Sequence, residues 1–307
     1  MKNILIVGGT GFIGYHLSKK CLKKNFSVTS ISTKKPNKSR YLKKVKYLFF
    51  DISKKKNFKK IKSKFQYVVN LSGYVDHSHK TKTFNSHFIG LKNLADFFLF
   101  QNIKKFIQFG SSVEYGFAKS PQNESLNIKA HKLKSIYGKA KFLSSRYLIE
   151  MNLLNKFPVI IFRLYLTYGP NQSTNRLIPT VIKNALKNNS FDCSDGNQLR
   201  DFIYIDDVTN AILLALKDKK NSGIYNLGSG KPVKVKNIIK KIIAKIKKGK
   251  PNFGSIKLRK DEPKKLFPSI NKIKKDLKWK PKINLKKGLE KTINFYVKGM
   301  KNDKKKY

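Results

Sequence analysis

Tyr137 and Lys141 open the stretch Tyr137-Gly-Lys-Ala-Lys141. Four apart, they fall on one face of a helix. An ammonium beside a phenol lowers the phenol's pKa, so that it can give or take a proton near neutrality. The same spacing joins Tyr15 to Lys19 and Tyr115 to Lys119, because the chain is full of lysine. Tyr15 falls on a helix behind a glycine turn, and Tyr115 inside a serine loop. Only Tyr137 opens a new helix at a workable distance after those serines. Ser111 and Ser112 stand in GSSVEYG, residues 110–116. A hydroxyl there can hydrogen-bond a substrate oxygen, although a plain Ser-rich turn would read the same way.

These groups need a scaffold, and the first fourteen residues supply its key part. Ile4-Leu5-Ile6-Val7 is an apolar run without alternation, as in a strand buried on both faces. Gly8, Gly9, Gly11 and Gly14 follow, and Tyr15–Lys24 reads as a helix. Strand, glycine turn and helix make a phosphate cradle. Backbone at Gly8, Gly11, Phe12, Ile13 and Gly14 can approach a pyrophosphate at a helix N-terminus. The spacing is G-x-x-G-x-x-G rather than G-x-G-x-x-G.

Further strands are predicted at Phe26–Ser32, Tyr47–Phe50, Tyr67–Leu71 and Phe106–Phe109, with a long helix over Phe84–Phe100. This alternation predicts an α/β fold, a doubly wound parallel sheet. Ligands in such sheets bind outside the carboxyl ends of the strands. Ser32 ends the second strand where an acid usually binds the adenosine ribose. Its neutrality, with Arg40 nearby, leaves room for a 2′-phosphate and favours NADP over NAD. Asp51, followed by Ile52, can reach an adenine amino group or cap a helix in the segment after it. Leu71-Ser72-Gly73 would let backbone pass under a cofactor.

The formal net charge is +51. Only six of the 68 basic residues are arginine, and the lysines spread through every segment. Such uniformity argues against a nucleic-acid face, which would gather charge in a stripe. The 2 cysteines, Cys21 and Cys193, suggest neither a disulfide framework nor a metal site. No apolar run reaches the roughly 18 residues that span a bilayer. A cytoplasmic enzyme without a membrane span is expected, with a frayed basic tail from Lys298 to Tyr307.

GGTGFIG, the Ser-Ser-x-x-Tyr-Gly loop and Tyr-x-x-x-Lys together resemble the extended short-chain dehydrogenase/reductase superfamily. More narrowly the chain resembles the nucleotide-sugar epimerase/dehydratase family. Similar motifs recur in IIFRLYLTYGPNQ (160–172), NRLIP (175–179), GNQLRDFIYIDDV (196–208), IYNLGSGKP (224–232) and the terminal LKWKP. The resemblance implies a Rossmann domain over 1–169, with 201–229 returning to it. It implies a smaller substrate-binding region over 170–300 and a tail at 301–307. Ser111, Tyr137 and Lys141 would be catalytic, with Ser112 as the alternative serine. Tyr137 and Lys141 would also touch the cofactor. Arg176, Leu177, Arg200 and Arg259 would hold the nucleotide diphosphate. In a lysine-rich chain an arginine marks a need for the bidentate fork.

The implied reaction is hydride transfer at C4 of a nucleotide-linked hexose, as a 4-epimerase or a 4-keto-sugar reductase. The superfamily also holds members without catalysis that sense redox state or bind RNA. Dehydratases carry an Asp-Glu pair just after the catalytic residue. Here those positions are Ser112 and Val113, and Glu114 comes one place late. Leu166 and His87 stand where many members have Asn. A homodimer is implied through helices 84–100 and 137–152, with an apolar stripe of Phe142, Leu143, Tyr147, Leu148 and Met151.

Overall fold

The computed structural model describes residues 2–76, 78–258 and 262–304. Strand β1 (Lys2–Val7) leads through the glycine turn into helix α1 (Phe12–Lys23). Then come β2 (Phe26–Ser32), β3 (Val45–Phe49) and β4 (Tyr67–Asn70). Helix α2 (Lys80–Phe84) runs through a π turn (Asn85–Ile89) into α3 (Gly90–Leu99). Strand β5 (Lys105–Ser111) precedes α4 (Ile136–Asn155) and β6 (Val159–Leu164). The chain continues with β7 (Leu166–Tyr168), α5 (Leu177–Leu186), β8 (Ser190–Cys193), β9 (Leu199–Arg200) and β10 (Phe202–Tyr204). Helix α6 (Ile205–Lys217), β11 (Gly223–Leu227) and helix α7 (Val235–Ile246) follow. The short α8 (Asn271–Asp276) and the long α9 (Leu285–Lys304) come last.

Seven strands form one sheet in the order β11-β6-β5-β4-β1-β2-β3. Every pair in it is parallel. Parallel neighbours need crossovers, and helices on both faces supply them. The two faces can be read off β1. Ile4 and Ile6 enter one apolar cluster with α1 and α6, whereas Leu5 and Val7 enter another with α3 and α4. Val159/Ile161 and Ile160/Phe162 divide the same way on β6. That is why these runs do not alternate in polarity. The strand order reverses between β1 and β4, and the crevice there opens at the carboxyl ends of the strands.

A third cluster joins α5, α7 and α9. Strand β10 pairs with β7 outside the main sheet, whereas β11 extends that sheet beside β6. Buried Asp207 accepts from the N–H groups of Lys282 and Ile283, both at 3.0 Å. The Trp279 indole N–H donates to the Asp207 carbonyl at 3.3 Å, which ties the LKWKP motif to α6. Among the described residues no helix is long and apolar enough to cross a membrane.

Several expectations shift. Helix α1 begins at Phe12, not Tyr15, because the extended backbone of Gly11 already serves as its N-cap. The helix placed at 84–100 starts at Lys80 and contains the π turn, a one-residue widening that periodicity does not reveal. The tail is not frayed from Lys298. Leu289, Ile293, Tyr296 and Val297 hold α9 on the third cluster, and the helix persists to Lys304. The stripe on α4 is partly internal, since Leu148 and Met151 belong to the second cluster.

Candidate active site

Ser111 is the last residue of β5 and Tyr137 the second of α4. Ser135 caps that helix, its hydroxyl accepting the Gly138 N–H at 3.0 Å. The fold brings the two side chains near each other: the Ser111 hydroxyl is close enough to the Tyr137 phenol to favour its ionised form. Ser112 opens the following 3-10 turn and is buried. Burial pushes the Tyr137 phenol above its usual range, and the nearby Ser111 hydroxyl and the Arg176 charge pull it back.

One turn on, Lys141 is buried, and its ammonium donates to the Phe109 carbonyl at 2.6 Å. Its nitrogen lies 6.0 Å from the centre of the Tyr137 ring. Desolvation lowers the Lys141 pKa to about 8, although the Glu114 charge opposes the shift. His87, held inward by the π turn, meets the Tyr137 ring edge-on with centres 4.8 Å apart. Its Nε2 lies 3.1 Å from the Tyr74 carbonyl. A side chain at Gly73 would overlap the His87 ring.

The other two Tyr-x-x-x-Lys candidates lie elsewhere. Tyr115 is buried, donates to Asn226 Oδ1 at 2.8 Å, and has a pKa raised by desolvation to about 12. Tyr15 sits on α1 against His16.

The glycine turn fits a dinucleotide diphosphate. Gly8 takes a positive φ of 82° and packs on the Leu71 backbone so closely that a Cβ would sit 2.9 Å from the Leu71 carbonyl carbon. Gly14 lets α1 press on the turn; a Cβ there would fall 2.5 Å from Gly9 Cα. Helix α1 has neither a side-chain cap nor an acid in its first turn. The N–H groups at Phe12 and Ile13 therefore suit an anion.

Ser32 donates to the Ile31 carbonyl at 2.8 Å and accepts from Thr10 N–H at 3.4 Å. Asp51 accepts the Ser53 N–H at 2.8 Å, which makes it a turn cap, and Ile52 is buried. Ser72 is tied to Asn70 Oδ1 through both its N–H and its hydroxyl.

Three arginines pair within the protein. Arg40 donates to the Asn171 carbonyl at 2.6 Å, and buried Arg200 pairs with Glu262. Arg163 pairs with Glu114 at 2.9 Å. Arg176 stands exposed at the N-cap of α5, near enough for its charge to act on Tyr137, and the half-exposed Leu177 opens that helix. Arg259 lies outside the described residues. Sequence reasoning missed Arg163 and Ser145 as partners of Glu114. The scarcity of arginine was a usable signal for the first, but the fork serves an internal carboxylate.

A profile of the NAD dependent epimerase/dehydratase family matches residues 4–228. The chain belongs to this family. As a member of the epimerase/dehydratase family it is 29% identical to a putative UDP-glucose 4-epimerase of Methanocaldococcus jannaschii, over 98% of this chain and 99% of that protein. It is 28% identical to CDP-abequose synthase of Salmonella typhimurium, over 94% and 97% respectively. Its fold is that of the UDP-glucose 4-epimerase of Thermotoga maritima, solved with UDP-glucose: TM-score 0.90 at 24% identity, covering 97% and 99% of the two chains. The Thermus thermophilus UDP-glucose 4-epimerase, solved with NAD, gives a TM-score of 0.86 at 20% identity over 96% and 99%.

Proposed function

We propose that this member of the epimerase/dehydratase family moves hydride at C4 of a nucleoside diphosphate hexose, acting as a 4-epimerase. The approach of Ser111, at the carboxyl end of β5, to Tyr137, at the start of α4, carries the reading. Tyr137 takes the proton of the C4 hydroxyl and returns it, and Ser111 orients that hydroxyl. Lys141 holds a positive charge behind the ring, anchored on the Phe109 carbonyl. The chemistry of a bound nicotinamide cofactor is to accept and return hydride at carbon. The turn from Gly8 to Gly14 holds its diphosphate, and Arg176 reaches the sugar nucleotide. The full-length similarity to a putative UDP-glucose 4-epimerase supports epimerisation over other outcomes.

A 4-keto-sugar reductase is the second reading. Ser32 favours it, because no carboxylate ends β2 to repel the 2′-phosphate of NADPH, and so does the similarity to CDP-abequose synthase. Dehydration finds less support. Ser112 and Val113 follow Ser111, and the Glu114 carboxylate is turned away into an ion pair.

Purified protein incubated with NAD and UDP-glucose should form UDP-galactose. Oxidation of NADPH only in the presence of a 4-keto sugar would replace the epimerase by the reductase. Turnover in neither assay, with tight RNA binding at physiological salt, would overturn both.

A further inference from the structure

Glu114 is 0% exposed, and its two oxygens make three hydrogen bonds to three elements. Oε1 accepts the backbone N–H of Ser111 at 2.8 Å, at the end of β5. Oε2 accepts the Ser145 hydroxyl at 2.7 Å on α4, and Arg163 Nε at 2.9 Å on β6. Ser145 stands one turn beyond Lys141 and two beyond Tyr137 on the same helix. A side chain at Gly110 would collide with Oε1, so the glycine admits the carboxylate. Arg163 is fixed in turn, its guanidinium carbon 4.4 Å from the centre of the Tyr115 ring.

Resting on the roles given to Ser111 and Tyr137 above, we propose that Glu114 is a positioning residue for the reaction. One buried carboxylate locks the strand end that carries Ser111 to the helix that carries Tyr137 and Lys141. Stability alone does not account for it, because a buried ion pair is often matched or exceeded by apolar residues of similar volume. Its geometry does account for it. Each of the three bonds lies on a different part of the active-site frame, and all three end on one rigid group. A displacement of 1 Å between reacting groups costs on the order of 10² in rate.

Among the described residues, the groups that act on Tyr137 include Ser111 from β5, Glu114 from the 3-10 turn and Arg176 from α5 by charge, His87 from the π turn and Lys141 from its own helix. Of these, the Ser111 hydroxyl favours the phenolate and the Glu114 charge disfavours it. Glu114→Asp keeps the charge but shortens the reach by one methylene, so three partners cannot all be served. The substitution should lower kcat about 10- to 100-fold. KM for the sugar nucleotide should stay within about twofold, because ground-state binding is untouched. The ionisation of Tyr137 should move up, since the Ser111 hydroxyl shifts away from the phenol while the charge stays. NMR of ring-labelled tyrosine, assigned with Tyr137→Phe, reads that ionisation without any turnover.

Ser145→Ala cuts one bond of the three and should move both readings the same way by less. The double variant should be no worse than Glu114→Asp alone, as for groups acting through one strut. A folded Glu114→Asp protein with full kcat and an unmoved Tyr137 ionisation overturns the proposal, even if its melting temperature falls. If Glu114→Asp does not fold, the same two readings on Ser145→Ala decide. A wild-type protein inactive with every sugar nucleotide would refute the C4 reading, and the tyrosine titration would still test Glu114.

Discussion

The Lys141 ammonium donates to the Phe109 carbonyl across 2.6 Å, which fixes the lysine to the strand that ends at Ser111. The bond makes Lys141 a measurable charge as well as a part of the site. Its pKa falls from 10.5 to about 8 on burial. Between those two values the unfolded chain binds more protons than the folded one, so stability rises with pH across that window. Below pH 8 the full penalty of the buried charge is present. Lys141→Met removes it. The stability of the natural protein relative to Lys141→Met should therefore improve as pH rises from 8 to 10.5, by up to about 1.4 kcal/mol per pH unit. Denaturant titrations of both proteins across that range check it. Parallel curves would mean that the lysine is solvated.

The glycine turn makes a graded prediction. A methyl at Gly14 would lie 2.5 Å from Gly9 Cα, and one at Gly11 would lie 3.2 Å from the Gly8 carbonyl oxygen. Gly14→Ala should destabilise the fold by about 1–3 kcal/mol, as overpacking does. It should also weaken dinucleotide binding far more than Gly11→Ala does. Thermal unfolding and cofactor titration on the two variants measure the difference. Equal effects would mean that helix-to-turn contact is not what Gly14 provides.

Ser32 sets cofactor choice if β2 meets the adenosine ribose. Ser32→Asp places a carboxylate there and should raise the ratio of NAD to NADP efficiency by roughly tenfold or more, about 1.4 kcal/mol of discrimination. Steady-state kinetics with both cofactors give that ratio. An unchanged ratio would remove Ser32 from the ribose site.

Much of this architecture is written locally. The run Ile4–Val7 needs no partner to be read as a strand covered on both sides, and Phe26–Ser32 has the bounds its sequence suggests. The choice of Tyr137 over Tyr115 follows from order along the chain, and the Tyr115 bond to Asn226 explains why the latter phenol is elsewhere engaged. What sequence does not carry is the partner across space. Glu114 reads as a displaced acid until Ser145 and Arg163 come within hydrogen-bond distance of it. Arg200 reads as a phosphate ligand, and its pairing with Glu262, 62 residues on, is not visible in the sequence. The π turn that turns His87 inward depends on packing against Gly73 and Tyr137, which no periodicity encodes.

Tyr115 separates structure from chemistry. Removal of its hydroxyl leaves Asn226 Oδ1 short of a buried donor, so Tyr115→Phe should cost about 1–3 kcal/mol of stability. Its kcat should stay close to that of the natural protein at a temperature where both are folded. Chemical denaturation and initial rates check the two halves.

Tyr137→Phe tests the central claim most directly. The ring stays to pack against His87, so the fold and cofactor affinity should persist. The proton donor is lost, and kcat should fall by about 10²–10⁴. The decisive measurement is single-turnover hydride transfer, followed at the nicotinamide absorbance, for the natural protein and for Tyr137→Phe at equal cofactor occupancy. Loss of the rate in Tyr137→Phe with cofactor binding intact is the predicted result. An undiminished rate in Tyr137→Phe would contradict the assignment of Tyr137 as the acid and base of the site.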